Sequence, residues 1–242
     1  MKNLIKIFLS KLGYKLNKVK STENHLTYLK SNFNIKTIFD VGAHHGETAL
    51  EYSKFFPTSK IYSFEPFYDS FEKLENNISS ITNVKTFNIG LSNKTSSMEF
   101  NINEGSPTNS ILRLSDNAPN TWDNSGLNHK NHLECQFKTI DDFMSKNEIE
   151  EIDLLKIDTQ GSEYLVLEGA EKVFQKSKIK TIYMEIIIGD TYVGQKSLSY
   201  YLNKMESYEF KLQGFYDLTF NTKSDLIQLD ALFIHKNFIN KI

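Results

Sequence analysis

The stretch TIFDVGAHHGE (residues 37–47), with IYSFEP (61–66) downstream of it, twice runs from a short segment of apolar and β-favouring residues into a turn. The first segment leads through Gly42, Ala43, His44, His45 and Gly46 into a sequence of helical character, which reads as strand, turn, helix. In a doubly wound α/β sheet this first turn anchors nucleotide-like ligands. Gly42 lets backbone and ligand approach closely or takes a positive φ, and Gly46 opens the helix without a Cβ clash. Asp40 at the strand tip can hold a cationic amino group, directly or through water, and would repel a pyrophosphate. The spacing is Gly-x-x-x-Gly, not Gly-x-Gly-x-x-Gly, and no Gly-Lys-Ser/Thr follows, so both phosphate-binding fingerprints are missing.

A glycine turn alone would serve any strand-to-helix junction. The second segment adds the specificity, because it ends in Glu65 about 20 residues after the turn, where an acidic side chain bonds ribose hydroxyls in this class of fold. Pro66 ends the strand by withholding its N–H, and Phe67 is available to lie against an adenine. A ribose, an adenine and a cationic amino acid moiety together describe a sulfonium cofactor, S-adenosyl-L-methionine.

Outward from this pair, short β-rich runs at Thr37–Val41, Lys60–Phe64, 84–88, Ile152–Ile157 and 181–187 alternate with segments of helical period, the pattern of a mostly parallel sheet covered on both faces. Helices are predicted over 69–78, with Phe71, Leu74 and Ile78 on one face, and over 163–174, with Leu167, Ala170 and Phe174. A further helix is expected at 198–208. Runs 210–216 and 229–235, joined by a polar stretch, suggest an antiparallel hairpin at the C-terminal edge. Between Ser97 and Gln136 the pattern changes: 98–102 and 134–140 look like short strands around a polar region carrying Gly105, Pro107, Pro119 and Gly126, so a lid or insertion is expected near 101–135.

The third block is IDLLKIDTQGSE (152–163). It sets Asp158 at the end of the central strand, where a carboxylate is well placed to touch substrate. Two roles are open to it: orienting the acceptor or taking its proton. Glu163 would start the next helix, where an acidic side chain suits the dipole.

With these blocks on the page, the chain resembles the FkbM-type methyltransferases. The resemblance rests on DVGAHHG (40–46), FEP (64–66), KTIDDF (138–143), LLKIDTQGSE (154–163), LEGA (167–170) and YMEI (183–186), in that order. It implies a class I, Rossmann-like methyltransferase fold, S-adenosyl-L-methionine as cofactor, and O-methylation of a sugar or polyketide hydroxyl. It also implies cofactor contacts at Asp40, Gly42, Gly46 and Glu65, in agreement with the reading from the residues. The family usually carries Asn where His44 stands, Glu where Gln160 stands, and often Ala where Ser162 stands. His44 can donate a hydrogen bond to the cofactor or act as a base near neutral pH. Gln160 removes a carboxylate beside Asp158, so no metal is expected there.

On the acceptor side, Asp158 and His44 are the candidate catalytic groups, and Gln160, Glu185 and Trp122 the candidate substrate-side groups. Trp122 can stack on a sugar ring or anchor its loop. His129, His132 and Glu134 would make a metal site only if helical, which their neighbours do not favour. Two other functions share the pattern. A nicotinamide-dependent oxidoreductase also presents ribose to an acidic second-strand end, and a domain of this fold can bind cofactor or glycan without turnover.

Composition narrows the partners. The 242 residues suit a single core, are 39% hydrophobic and 13% aromatic, and carry a formal charge of −2, which does not advertise nucleic acid. The lone Cys135 rules out an internal disulfide framework and suits a cytoplasmic location. Residues 1–30 read as a basic amphipathic helical appendage, with Leu4, Ile5, Phe8, Leu9 and Leu12 beside Lys2, Lys6, Lys11, Lys15, Lys18 and Lys20. It reads neither as a signal peptide nor as a membrane span. It either packs on the domain, taken as 31–242, or attaches peripherally to the inner face of an anionic membrane.

Overall fold

The computed structural model describes residues 24–123 and 127–239. The basic segment preceding residue 24 therefore lies outside the described residues. No described helix is long and apolar enough to cross a membrane.

A seven-stranded sheet forms the centre. Its strands are β1 (Thr37–Val41), β2 (Lys60–Phe64), β3 (Val84–Phe87), β7 (Ile152–Ile157), β8 (Ile179–Ile187), β9 (Phe210–Phe220) and β10 (Leu226–His235), in the order β3-β2-β1-β7-β8-β10-β9. The first five are parallel, and β10 runs antiparallel to both β8 and β9. Every residue of β7 is buried, as expected of a central parallel strand covered on both faces. The expected C-terminal hairpin forms, with its second strand slotted inside so that β9 takes the edge.

Side chains alternate across the sheet. Phe39, Val41, Phe64, Leu155 and Ile157 face one layer, formed by α5 (Ile140–Lys146), α6 (Glu163–Glu168), α7 (Glu171–Gln175) and α8 (Leu198–Ser207). Ile38, Ile61, Leu154 and Leu232 face the other, formed by α1 (His25–Asn32), α2 (Glu47–Phe55) and α3 (Tyr68–Ile78). The helix α1 straddles the boundary expected at residue 30 and sinks Leu26 and Leu29 into this second layer.

The helix predicted over 163–174 is broken in two. Gly169 ends α6 where the backbone passes against Ser92: a Cβ there would stand 2.1 Å from the Ser92 carbonyl oxygen. The strand predicted at 134–140 ends earlier, at Lys138, because the Thr139 hydroxyl accepts from the Asp142 N–H and caps α5. The region expected to be a lid is partly regular. β5 (Ser96–Asn103) and β6 (His129–Lys138) pair antiparallel and, with the two-residue β4 (Gly90–Leu91), build a small second sheet. The remaining described residues of the region, 104–123 and 127–128, are mostly irregular and include α4 (Ala118–Thr121).

Candidate active site

From β1 the chain adds β2 and β3 on one side and later β7 and β8 on the other, so the order of strand connection reverses between the parallel neighbours β1 and β7. Crevices at such reversals, beyond the carboxyl ends of the strands, are where doubly wound folds bind ligands. A cavity of about 480 Å3 opens there. The small sheet and the 104–128 segment form its other wall.

The turn after β1 makes its floor. Gly42 has φ +78°, and a Cβ on it would lie 1.8 Å from the Asp158 carbonyl oxygen, so this position must be glycine for the β1 and β7 ends to touch. His44 is also left-handed, at φ 47°. Its N–H donates to Glu65 Oε2 at 2.9 Å, and its ring Nε2 lies 2.9 Å from Ser106 Oγ. Burial first, then the neighbouring His45, lowers the His44 pKa, so its ring is neutral near pH 7.

Glu65 stands at the tip of β2, almost fully buried. Its second oxygen accepts from the Phe67 N–H at 3.0 Å. Burial pushes its pKa up to about 7, against the pull of these two backbone donors. Each oxygen keeps a lone pair for a further donor, the requirement for gripping a diol.

At the tip of β7, Asp158 accepts from Gln160 Nε2 at 2.9 Å, and the same amide donates to Glu185 Oε2 at 2.8 Å. Gln160 thus spans two carboxyl groups on adjacent strands, from a left-handed backbone at φ 54°. Burial, then the charge of Asp158, raises the Glu185 pKa well above the carboxylate range, so it keeps its proton at neutral pH. The Tyr192 hydroxyl lies 3.1 Å from Gln160 Oε1 and donates to the Thr108 carbonyl at 2.8 Å, tying the 104–128 segment to this cluster.

Of the residues singled out in the sequence, Gly42, Ala43, His44, Glu65, Trp122, Asp158, Gln160 and Glu185 line the cavity together. Three do not. Asp40 is fully buried beneath it, and its cationic partner is Lys156, whose Nζ stands 3.2 Å away; a carboxylate so deep needs a counter-ion. Gly46 is turned away from the cavity, where a Cβ would come within 2.7 Å of Leu74 in α3. Phe67 packs against the apolar cluster of the small sheet, formed by Phe100, Ile102, Cys135 and Phe137. The indole N–H of Trp122 donates to Thr191 Oγ1 at 2.7 Å, so this residue anchors its loop as well as facing the cavity. His129 and His132 lie in extended β6, and His132 faces Glu99 across the pair at 3.8 Å.

Lys156 was not foreseen. Its ammonium donates to the Gly42 carbonyl at 3.0 Å and stands 3.6 Å from Asp158. Burial opposes that charge, but Asp40 and Asp158 outweigh it and hold the pKa above the usual lysine range. The available signal was a lone charge inside an otherwise apolar strand core, LLKI, which asks for buried counter-ions. Asn109, also unforeseen, lines the cavity with its side-chain amide nitrogen buried and without a hydrogen-bond partner among the described residues.

The lining suits the cofactor expected from the sequence. Among the described residues, carboxyl groups outnumber the buried Lys156 in the lining, with Asp158 beside that lysine and Glu47 at the exposed rim. Glu65 and Glu185 are able to accept or donate hydrogen bonds, and the set is compatible with a molecule bearing a sulfonium and an ammonium. The volume falls in the range of about 300–1,000 Å3 typical of small-molecule sites.

Fold and site together define a class I methyltransferase. The sequence profile of the Methyltransferase FkbM domain matches residues 40–212, and the chain belongs to that family of S-adenosylmethionine-dependent methyltransferases. The chain is also similar to the 2-O-methyltransferase NoeI of Sinorhizobium fredii, with 25% identity over 190 residues covering 73% of each protein. In fold it resembles an rRNA methylase from Streptococcus thermophilus, at a TM-score of 0.50 and 10% identity over 91% of this chain and 99% of that one. Membership in a methyltransferase family answers the nicotinamide alternative, which had rested on the acidic end of β2 alone.

Proposed function

We propose that this enzyme O-methylates a hydroxyl of a sugar, in a surface polysaccharide or a related glycan. The observation that carries the reading is the paired arrangement in one cavity: a diol-binding carboxyl at Glu65 and, beyond the Gly42 turn, the Asp158, Gln160 and Glu185 cluster. The name of the Sinorhizobium relative supports a hydroxyl as the acceptor.

Bound S-adenosyl-L-methionine would supply an electrophilic methyl group. Glu65 would hold its ribose, and the backbone of Gly42, Ala43 and His44 would approach it closely. Asp40 acts at one remove, by fixing Lys156, while Gly46 and Phe67 shape the turn and its support. On the other side, Asp158 accepts the proton of the acceptor hydroxyl or orients it, with Gln160 and Lys156 holding the carboxylate in place. Glu185, protonated, offers a hydrogen bond to a sugar oxygen, and Trp122 presents an apolar ring edge at the cavity wall. Placement dominates such a reaction: orientation contributes about 7–11 kcal/mol, and a general base about 10²–10⁴-fold. The wall that residues 106–109, Ile111, Trp122 and Leu127 give the cavity therefore counts as much as Asp158.

The test is transfer of labelled methyl from S-adenosyl-L-methionine to candidate glycans, read by mass spectrometry. A mass gain of one CH2 on a sugar hydroxyl supports the reading. Transfer confined to non-sugar acceptors contradicts it.

A further inference from the structure

His44, His45 and Glu47 converge at the rim of the cavity in a way that methyl transfer does not require. One ligand atom from each lies within 4.8 Å of the others. The Nδ1 atoms of the two imidazoles stand 3.8 Å and 3.9 Å from the two oxygens of the Glu47 carboxylate. These gaps are too wide for hydrogen bonds. Two donors on a common divalent ion, each about 2.0–2.2 Å from it, are separated by about 3.0–3.5 Å. The observed spacing is within a few tenths of an ångström of that, and Glu47 is exposed enough to close the difference.

The surroundings fit ligation as well. His44 Nε2 lies 2.9 Å from Ser106 Oγ; with the proton on that nitrogen, the Nδ1 lone pair points towards Glu47. Metal-ligating histidines are held by such a bond at their second nitrogen. The rings of His44 and His45 stack with centroids 3.6 Å apart and 23° between planes, which keeps both Nδ1 atoms on one side. The backbone is fixed too, since the His44 N–H is held by Glu65 and the His45 carbonyl accepts from Asn77 Nδ2 at 2.9 Å. His45 Nε2 is buried without a hydrogen-bond partner among the described residues, so this ring lacks the second-nitrogen bond that His44 has and is held by its stacking on His44.

We propose that His44, His45 and Glu47 bind a divalent first-row transition-metal ion at the rim of the cavity. Two imidazoles and a carboxylate select zinc, nickel or cobalt over magnesium and calcium. Three protein ligands would leave coordination positions for oxygen donors, and two of the three, His44 and Glu47, line the cavity. The positive end of α2 opposes the cation and weakens its binding relative to the same ligands placed away from a helix N-terminus.

The site is read without cofactor or acceptor, so the result is independent of methyl transfer. Co2+ is titrated into the full chain and followed by its visible absorption, with Zn2+ as competitor. The expected outcome is saturable binding of one ion per chain, weakened at least tenfold in His45→Ala and, with Glu47 so exposed that folding is not at stake, in Glu47→Gln. A His129→Ala/His132→Ala double variant should bind as the wild type does, and Mg2+ should not compete. The proposal is overturned if Co2+ fails to saturate, if His45→Ala and Glu47→Gln bind with unchanged affinity, or if only the double variant loses the ion.

Discussion

Lys156 is the cation on which the site turns, although it sits in a strand whose every residue is buried. Its ammonium joins Asp40 below the cavity to Asp158 within it, so the charge balance of the site is fixed before any ligand arrives. Asp158, steadied by Lys156 and Gln160, still lines the cavity where the acceptor would lie. Asp158→Asn keeps the shape and the Gln160 contact but removes the base, and we expect kcat to fall by about 10²-fold or more with the S-adenosylhomocysteine affinity nearly unchanged. Single-turnover methyl transfer and calorimetry on the same variant separate the two quantities. A second buried carboxyl bears on stability. Glu163 accepts from Thr159 N at 2.9 Å, Gly161 N at 3.1 Å and Tyr201 OH at 3.3 Å, yet burial raises its pKa from 4.5 to about 7. With the folded pKa above the unfolded one, the folded state binds the extra proton, so this group costs stability as pH rises from about 4.5 to about 7 and no further beyond. Glu163→Gln, which mimics the protonated form, should therefore melt higher than the wild type at pH 7.5, and the gap should shrink towards pH 4.5 in thermal melts. A gap independent of pH would contradict the assignment.

At the scale of elements, the strands were legible because their apolar runs match the pleat and their ends carry turn residues. The three site blocks were legible because each follows a strand. What the sequence did not disclose depends on contacts between distant segments. The break at Gly169 falls where the backbone of Ser92 passes, and the retreat of Phe67 from the cavity follows from the small sheet, whose apolar cluster it joins. Lys156 escaped notice because its counter-ion lies 116 positions away in β1. The junction of β1 and β7 offers a clean test of local geometry. Gly42 and Gly194 both have left-handed φ, 78° and 88°, but a Cβ at Gly42 would strike the Asp158 carbonyl whereas nothing lies within 4 Å at Gly194. Gly194→Ala should cost about 1–2 kcal/mol of backbone strain. Gly42→Ala should cost clearly more, or prevent folding, in chemical denaturation; equal losses would mean that the two strand ends do not meet as described.

Over the whole molecule, the cavity is closed by a segment that owes its place to hydrogen bonds rather than to regular structure. Trp122 reaches Thr191, Tyr192 reaches Thr108, and Asp123 accepts from both the N–H and the hydroxyl of Thr222 at 2.7 Å in the β9–β10 turn. The 104–128 wall is thereby fastened to the far half of the sheet. Trp122→Phe removes the bond to Thr191 while keeping most of the ring, and should speed proteolytic cleavage within 104–128 and raise the acceptor KM more than it lowers kcat. Cleavage at the wild-type rate would show that the wall is held elsewhere. The fold, then, brings a cofactor floor and an acceptor cluster to opposite sides of one reversal point, and Glu65 is the group on which the cofactor side rests. The most direct test is calorimetric titration of S-adenosylhomocysteine into the wild type and Glu65→Ala, with NADH as a control. Saturable binding that weakens about tenfold or more in Glu65→Ala, about 1.4 kcal/mol or more, is the predicted result. No binding by the wild type, or the same Kd in both proteins, would contradict the account.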